Sequence, residues 1–115
     1  MAWKRSPETI TPYKWGDNCQ GWHLLQSEDL SIIQEKMPPN TSEMPHYHEY
    51  AQQLFYIISG IASFIIDQEE IEAKTGESVH IPPKTIHQIN NLQSVDLHFL
   101  VISQPKAHGD RVNLS

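Results

Sequence analysis

Three histidines are the residues of this sequence whose types and spacing could do chemistry together. His46 and His48 flank Tyr47, and His87 follows much later in the chain. Residues two apart in a β-strand point to the same face, so the imidazoles of His46 and His48 could reach one point. Imidazole nitrogens bind divalent transition metals at about 2.1 Å. An H-x-H pair by itself is more often a coincidence than a metal site.

The surroundings of the pair change that interpretation, because further residues match a known pattern. The segment 40–91 resembles the paired motifs of the cupin superfamily, which read glycine, H-x-H, glutamate and glycine, then glycine, P-x-G, histidine and asparagine. The fixed positions that agree in type and spacing are His46, His48, Gly60, Gly76, Pro82, His87 and Asn91. The resemblance implies that one divalent ion (iron, nickel, zinc, manganese or copper) binds His46, His48 and His87.

Three positions depart from the cupin pattern. Asn40 replaces the first glycine, and asparagine also tolerates positive φ. Lys84 replaces a turn glycine and would be strained by about 1 kcal/mol if the turn needs positive φ. Gln53 replaces the glutamate ligand and offers only a neutral amide oxygen, so a bound ion would keep its full charge. We predict Gln53 as a fourth ligand, with a hydrogen-bonding or plain barrel role as the alternative. Some uronate-linearising cupins of pectin degradation are similar in using three histidines and a glutamine.

His98 is a further candidate site residue. It lies in the strand-like run 95–103, where alternation places Asp96 and His98 on one face. If that face lines the mouth of the barrel, His98 could move a proton as a catalytic residue. The alternative is a solvent-facing histidine. His23, His80 and His108 are predicted to lie on the surface.

Short strand-like runs dominate the chain from about residue 23, and no long window has helical periodicity. This pattern predicts an all-β sandwich or barrel. The cupin resemblance implies a double-stranded β-helix, or jelly-roll barrel, over residues 23–115. Residues 1–22 carry Trp3, Trp15 and Trp22 and are predicted to be an irregular segment that covers the barrel or contacts a second copy.

Composition excludes several classes of partner. The chain has 115 residues, enough for one domain, and a formal net charge of -6 at pH 7, which disfavours nucleic acid and anionic membranes. Apolar runs are too short for a membrane-spanning helix, and we expect no signal peptide. Cys19 is the one cysteine, which favours a reducing, cytoplasmic setting. Because small cupins usually pair, the resemblance also implies a homodimer.

Two classes of function are compatible with these residues. The first is a metalloenzyme acting on a small, oxygen-rich molecule, either as a dioxygenase or by isomerisation or ring opening of a sugar-acid-like substrate. The second is a non-catalytic module that binds or senses a small molecule. A degenerate barrel without metal is a third possibility, which the retained histidines His46, His48 and His87 disfavour.

Overall fold

The computed structural model describes residues 2–107 and 109–114, so the surface position predicted for His108 lies outside the described residues. The described residues form β-strands joined by turns and loops. The strands are β1 (Tyr13–Trp15), β2 (Cys19–Gln26), β3 (Ser31–Met37), β4 (Thr41–Ser42), β5 (His46–His48), β6 (Gln52–Ser59), β7 (Ile61–Ile66), β8 (Glu69–Lys74), β9 (Ser78–Ile81), β10 (His87–Asn91), β11 (Leu97–Gln104) and β12 (Arg111–Asn113).

The strands form two antiparallel sheets. The first sheet has the order β1-β2-β3-β11-β6-β9, and the second has the order β12-β5-β10-β7-β8, with β4 paired to β10. Crossovers between strands distant in sequence, such as β3 to β11, are typical of a jelly roll. The predicted all-β jelly-roll class is confirmed. No helix in the described ranges is long and apolar enough to cross a membrane.

One hydrophobic core lies between the sheets. Phe55 and Phe99 come from the first sheet and Phe64 from the second, and all three are at most 4% exposed. The Phe55 ring lies 5.2 Å from that of Phe64 and 5.8 Å from that of Phe99, measured between centroids. Aromatic residues that alternate with outward residues along β6, β7 and β11 therefore join the sheets.

Residues 13–22 are more regular than their sequence indicates. β1 pairs with β2 through Tyr13 opposite Gly21 and Trp15 opposite Cys19. The turn between them places Gly16 and Asn18 at φ values of 52° and 63°, which glycine and asparagine tolerate. A three-residue strand is too short to show a periodic pattern, so β1 cannot be recognised from the sequence. Residues 2–12 contain no strand.

Asn40 and Lys84, which replace glycines of the cupin pattern, adopt the left-handed backbone conformation that glycine favours. Asn40 has φ 57° and Lys84 has φ 63°, so both turns need the left-handed region. The turn at Lys84 also contacts the histidine strand, because the Lys84 N–H donates a 2.7 Å hydrogen bond to the carbonyl of His48. The strain at Lys84 is thus retained in a turn that positions β5.

Candidate metal centre

The structure brings the three histidines together. β5 carries His46 and His48 on its inward face, and β10 begins at His87, which pairs directly with His46. Ring centroids are separated by 4.3 Å for His46 and His87, 5.1 Å for His46 and His48, and 6.0 Å for His48 and His87. One ring nitrogen from each lies within 4.8 Å of the others, and all three side chains are buried. This spacing suits a shared divalent ion.

Hydrogen bonds to backbone carbonyls orient two of these rings. Nδ1 of His46 donates to the carbonyl of Met44 at 2.9 Å, and Nδ1 of His87 donates to the carbonyl of Thr85 at 2.9 Å. A carbonyl can only accept, so each Nε2 keeps its lone pair. Nε2 of His87 is buried and has no hydrogen-bond partner among the described residues. Such orientation by a backbone carbonyl is common for metal-binding histidines.

The three imidazoles are held in the neutral form that metals bind. Burial lowers the pKa of His46 to about 3, and the neighbouring His87 contributes in the same direction. Burial also lowers the pKa of His48 to about 4, and it lowers the pKa of His87. Near neutral pH all three therefore offer lone pairs without first losing a proton.

Gln53 lines the same pocket as His46 and His48. It points inward from β6 and is 6% exposed, and its Nε2 donates to Oγ of Ser103 at 3.0 Å. Its Oε1 is buried and lacks a hydrogen-bond partner within the described ranges. A buried acceptor without a partner costs about 1–3 kcal/mol unless something satisfies it. Three neutral imidazoles and this oxygen fit a divalent transition metal, with Gln53 as a predicted fourth ligand.

A pocket of about 780 Å³ opens beside His46, His48 and Gln53. Its volume falls in the range of small-molecule sites. Its other polar walls include Tyr13, His23, Glu35, Glu43 and Arg111. No sequence motif marks any of these five as functional, and His23 is predicted from the sequence to lie on the surface. Instead, His23 is half-buried in the pocket wall, with its ring centroid 4.8 Å from that of Tyr13.

Glu43 and Arg111 lie near the Nδ1 atom of His46 and the backbone carbonyl to which it donates. Oε1 of Glu43 accepts the N–H of Ile89 at 3.1 Å and lies 3.9 Å from Nδ1 of His46. Oε2 of Glu43 lies 3.9 Å from Nη1 of Arg111, and Nη2 of Arg111 donates to the carbonyl of Met44 at 3.3 Å. Burial raises the pKa of Glu43 to about 7, although Arg111 opposes that shift. Arg111 thus also fixes the carbonyl that orients His46.

Asp110 stabilises the loop after the histidine strand. Asp110 accepts three consecutive backbone N–H groups, those of Glu49 at 3.1 Å, Tyr50 at 3.0 Å and Ala51 at 2.9 Å. Partial burial acts to raise the pKa of Asp110, but these hydrogen bonds outweigh it and the pKa is lowered. Asp110 immediately precedes β12, and the pairing of β12 with β5 brings it next to this loop.

The structure does not bring His98 to the cluster. In β11 the buried residues Leu97, Phe99 and Val101 alternate with His98, which therefore lies on the outer face of the first sheet. The predicted catalytic role of His98 consequently has no geometric support. His80 is exposed, as predicted, and its Nε2 lies 2.9 Å from Oε1 of Gln52.

Comparison with known proteins decides the family. Residues 33–103 match the cupin domain family, and this range includes all three histidines and Gln53. The chain belongs to the cupin family. In a cupin, a buried cluster of three histidines is typical of a metal site, and the cluster described above has that form.

The proteins similar to this cupin include one that is uncharacterized and one that is named for ligand binding. An uncharacterized protein of Methanocaldococcus jannaschii is 33% identical over 83 residues, covering 72% of this chain and 66% of that protein, slightly less than two thirds of its length. An oxalate-binding protein of Thermotoga maritima is 27% identical over 103 residues, covering 84% of this chain and 85% of the relative. The structure of KdgF from Halomonas sp. superposes with a TM-score of 0.85 at 18% identity, covering 92% and 96% of the two chains, which shows a shared fold.

Proposed function

We propose that this cupin is a metalloenzyme that acts on a small, oxygen-rich molecule. One divalent ion would bind His46, His48 and His87, with the amide oxygen of Gln53 as fourth ligand. The observation that carries the proposal is the buried Oε1 of Gln53, which has no protein partner in the described residues and lines the same pocket as His46 and His48. A structural role in packing alone would leave that oxygen unsatisfied.

The donor set determines which substrates would suit the centre. Three imidazoles and an amide are all neutral, so they leave the charge of iron, nickel, zinc, manganese or copper uncompensated. When bound, such an ion would polarise a substrate oxygen or, if redox-active, activate dioxygen. An uncompensated charge favours anionic, chelating oxygen ligands such as hydroxy acids. The neighbouring Arg111 adds positive charge at the pocket wall.

Two classes of reaction are compatible with this centre, and the dependence of turnover on dioxygen distinguishes them. A dioxygenase would consume dioxygen, whereas isomerisation or ring opening of a sugar-acid-like substrate would need only proton transfers. Turnover under argon therefore supports the second reaction. Turnover that stops without dioxygen supports the first.

Metal content of purified protein tests the centre itself. We expect about one ion per chain in the wild type and loss of that ion in His87→Ala. His80→Ala is the matched control, because His80 is an exposed histidine on β9 outside the cluster. Equal metal content in His87→Ala and His80→Ala would contradict the proposed centre.

A second candidate function is ligand binding without turnover. It is favoured by the similarity to the Thermotoga maritima relative, which is named for oxalate binding. A cupin of this kind would bind oxalate in a metal-dependent way and release it unchanged. Recovery of intact ligand after long incubation with metal-loaded protein supports binding alone, and a new product supports the enzyme.

We also propose that two copies pair through the outer face of the first sheet. Leu25, Ile32, Ile102 and Leu54 are consecutive partners across β2, β3, β11 and β6, and Leu25 is 39% exposed. We call these four residues the apolar row. Monomers rarely leave such contiguous apolar surface uncovered. Within each copy, we propose that residues 1–22 form a cover for the barrel, since Trp15 packs against the core.

A further inference from the structure

A row of residues across the first sheet forms the pocket wall contributed by β1, β2 and β3. The register places Tyr13 of β1 opposite Gly21 of β2, Gly21 opposite Glu35 of β3, and Glu35 opposite Phe99 of β11. Residues directly opposite in neighbouring strands share one face of the sheet. Gly21 and Phe99 are buried, and Tyr13 and Glu35 line the pocket, so the row faces the interior.

The missing side chain of Gly21 lets Tyr13 lie across β2. A Cβ atom at position 21 would be 2.5 Å from Oη of Tyr13 and 2.6 Å from Cε1, well inside van der Waals contact. The phenol group therefore lies over Gly21, on the same face of the sheet as Glu35. Burial raises the pKa of Tyr13, and the negative charge of Glu35 adds a smaller effect in the same direction. Tyr13 thus stays a neutral hydrogen-bond donor throughout the neutral range.

Glu35 is a carboxyl group without a fixed partner. It is half-buried in the pocket wall, and within the described ranges its carboxyl group makes no hydrogen bond and no ion pair. Burial raises the pKa of Glu35 to about 8, the charge of Glu43 adds to this shift, and Arg111 opposes it. At pH 7 the group is therefore mostly a neutral acid that can donate a hydrogen bond.

We propose that Tyr13 and Glu35 form a second binding wall, which holds the hydroxyl groups of a polyhydroxy acid whose carboxylate end lies at the three histidines. The proposal rests on the proposed function, because the histidine centre supplies the other end of the site. Neither side chain has a hydrogen-bond partner among residues 2–107 and 109–114. Two such donors on one wall, facing a cavity, are suited to oxygen acceptors of a ligand. We call Tyr13 and Glu35 the donor wall.

The size of the pocket favours an extended ligand. A volume of about 780 Å³ far exceeds what a two-carbon acid fills, so such an acid at the histidines would leave the donor wall in contact with water. A ligand that carries several hydroxyl groups beyond its carboxylate could contact both ends of the pocket. The donor wall would then select for chain length and hydroxylation, while the metal centre would bind the shared acid end.

Gluconate and glycolate are matched probes, because both carry the same α-hydroxycarboxylate end and only gluconate has a polyhydroxy chain. We would titrate each into zinc-loaded protein by calorimetry. We expect Tyr13→Phe to weaken gluconate about two- to tenfold, as for the loss of one hydrogen bond, and to leave glycolate unchanged. Gly21→Ala should act similarly by displacing Tyr13. Tyr56→Phe is the control, since Tyr56 is 41% exposed on the opposite face of the sheet.

The pH dependence of binding tests Glu35 separately. If only the protonated acid binds, a pKa of about 8 makes gluconate affinity fall about tenfold between pH 7 and pH 9 relative to glycolate affinity. Glu35→Gln keeps a neutral donor, so it should retain binding at pH 7 and lose this fall. Glu72→Gln on the exposed face of β8 is the control. The titratable groups around Glu35 are Tyr13, Cys19, His23, Glu43 and Arg111.

The outcomes separate this proposal from the proposed function. Zinc binding with equal effects of Tyr13→Phe on gluconate and glycolate, or with no effect, would overturn the donor wall and leave the metal centre standing. Failure to bind zinc would overturn the metal centre. The donor wall would then stand only if metal-free protein binds gluconate in a Tyr13-dependent way. Infrared difference spectra of metal-free wild type and Glu35→Gln give an independent readout. A carboxylic acid band of Glu35 that persists at pH 7 supports the proposal, and its absence overturns it.

Discussion

Ser103 should control metal affinity without itself binding the metal. Its Oγ accepts the 3.0 Å hydrogen bond from Nε2 of Gln53, and its side chain is 1% exposed. Because the amide nitrogen is held there, the amide oxygen is directed away from Ser103 and stays unpartnered within the described residues. Replacing Ser103 by alanine removes this acceptor without changing the identity of residue 53.

Two effects of Ser103→Ala can be calculated separately. In metal-free protein, Nε2 of Gln53 loses its buried partner, which should lower the free energy of unfolding by about 1–3 kcal/mol. The freed amide can rotate, and loss of such an orienting contact typically weakens metal binding about 10–100-fold. At metal concentrations 100 times the wild-type Kd, metal adds about 2.7 kcal/mol to wild-type stability. A tenfold weaker variant would gain only about 1.4 kcal/mol.

Competition with a chromophoric chelator measures zinc affinity, and urea unfolding with and without zinc measures both stabilities. Ser31→Ala is a close control, because Ser31 pairs directly with Ser103, lines the same pocket and makes no hydrogen bond to Gln53. We expect Ser31→Ala to keep wild-type zinc affinity. If Ser103→Ala binds zinc as tightly as Ser31→Ala does, Gln53 is not a ligand oriented by Ser103.

Three further variants test other parts of the structure. Asp110→Asn should lower the free energy of unfolding in urea by about 1–2 kcal/mol at pH 7, since charge-assisted bonds to three N–H groups are weakened. The pKa of Asp110 is lowered in the folded state, so this stabilisation is present above the unfolded pKa of about 3.9 and disappears as the pH falls through the folded pKa. If Asp110→Asn were destabilised equally at low pH, this explanation would be contradicted. Lys84→Gly should raise the melting temperature by relieving up to about 1 kcal/mol of strain at φ 63°, whereas Lys74→Gly, within β8, should lower it. Ile102→Glu should yield monomers in sedimentation experiments, because it places a charge in the apolar row. Ile71→Glu on the second sheet is the control, and an equal sedimenting mass of the two variants would exclude this interface.

Local sequence signals predicted the middle of the fold well. The sequence has a run rich in β-branched and aromatic residues over 53–58, a tight-turn signal at Ser59-Gly60 and a return run over 61–67. These correspond to β6 (Gln52–Ser59), Gly60 at φ 100° and β7 (Ile61–Ile66). Alternating β-branched and aromatic residues bounded by a glycine turn contain the information needed for a hairpin. Convergence of the three histidines was likewise predictable, because their spacing matched a family pattern.

The pocket walls were not predictable in the same way. Tyr13 and Glu35 reach one wall only because β1, β2 and β3 pair in a register that places Gly21 between them. Asp110 contacts Ala51 across 59 positions of sequence. Tyr13, Glu35 and Asp110 belong to no local sequence pattern, and a half-buried glutamate looks like a solvated one in the sequence. The outward direction of His98 depended on which face of β11 meets the core, which alternation alone does not settle.

The strand that carries His46 and His48 is shielded along both of its edges. β10 pairs on one side, and Arg111, Val112 and Asn113 of β12 pair on the other. A sheet edge exposes unpaired N–H and C=O groups that can recruit a strand from another molecule. Proteolytic loss of β12 would therefore expose the histidine strand to intermolecular pairing, and clipped molecules should self-associate faster than intact ones.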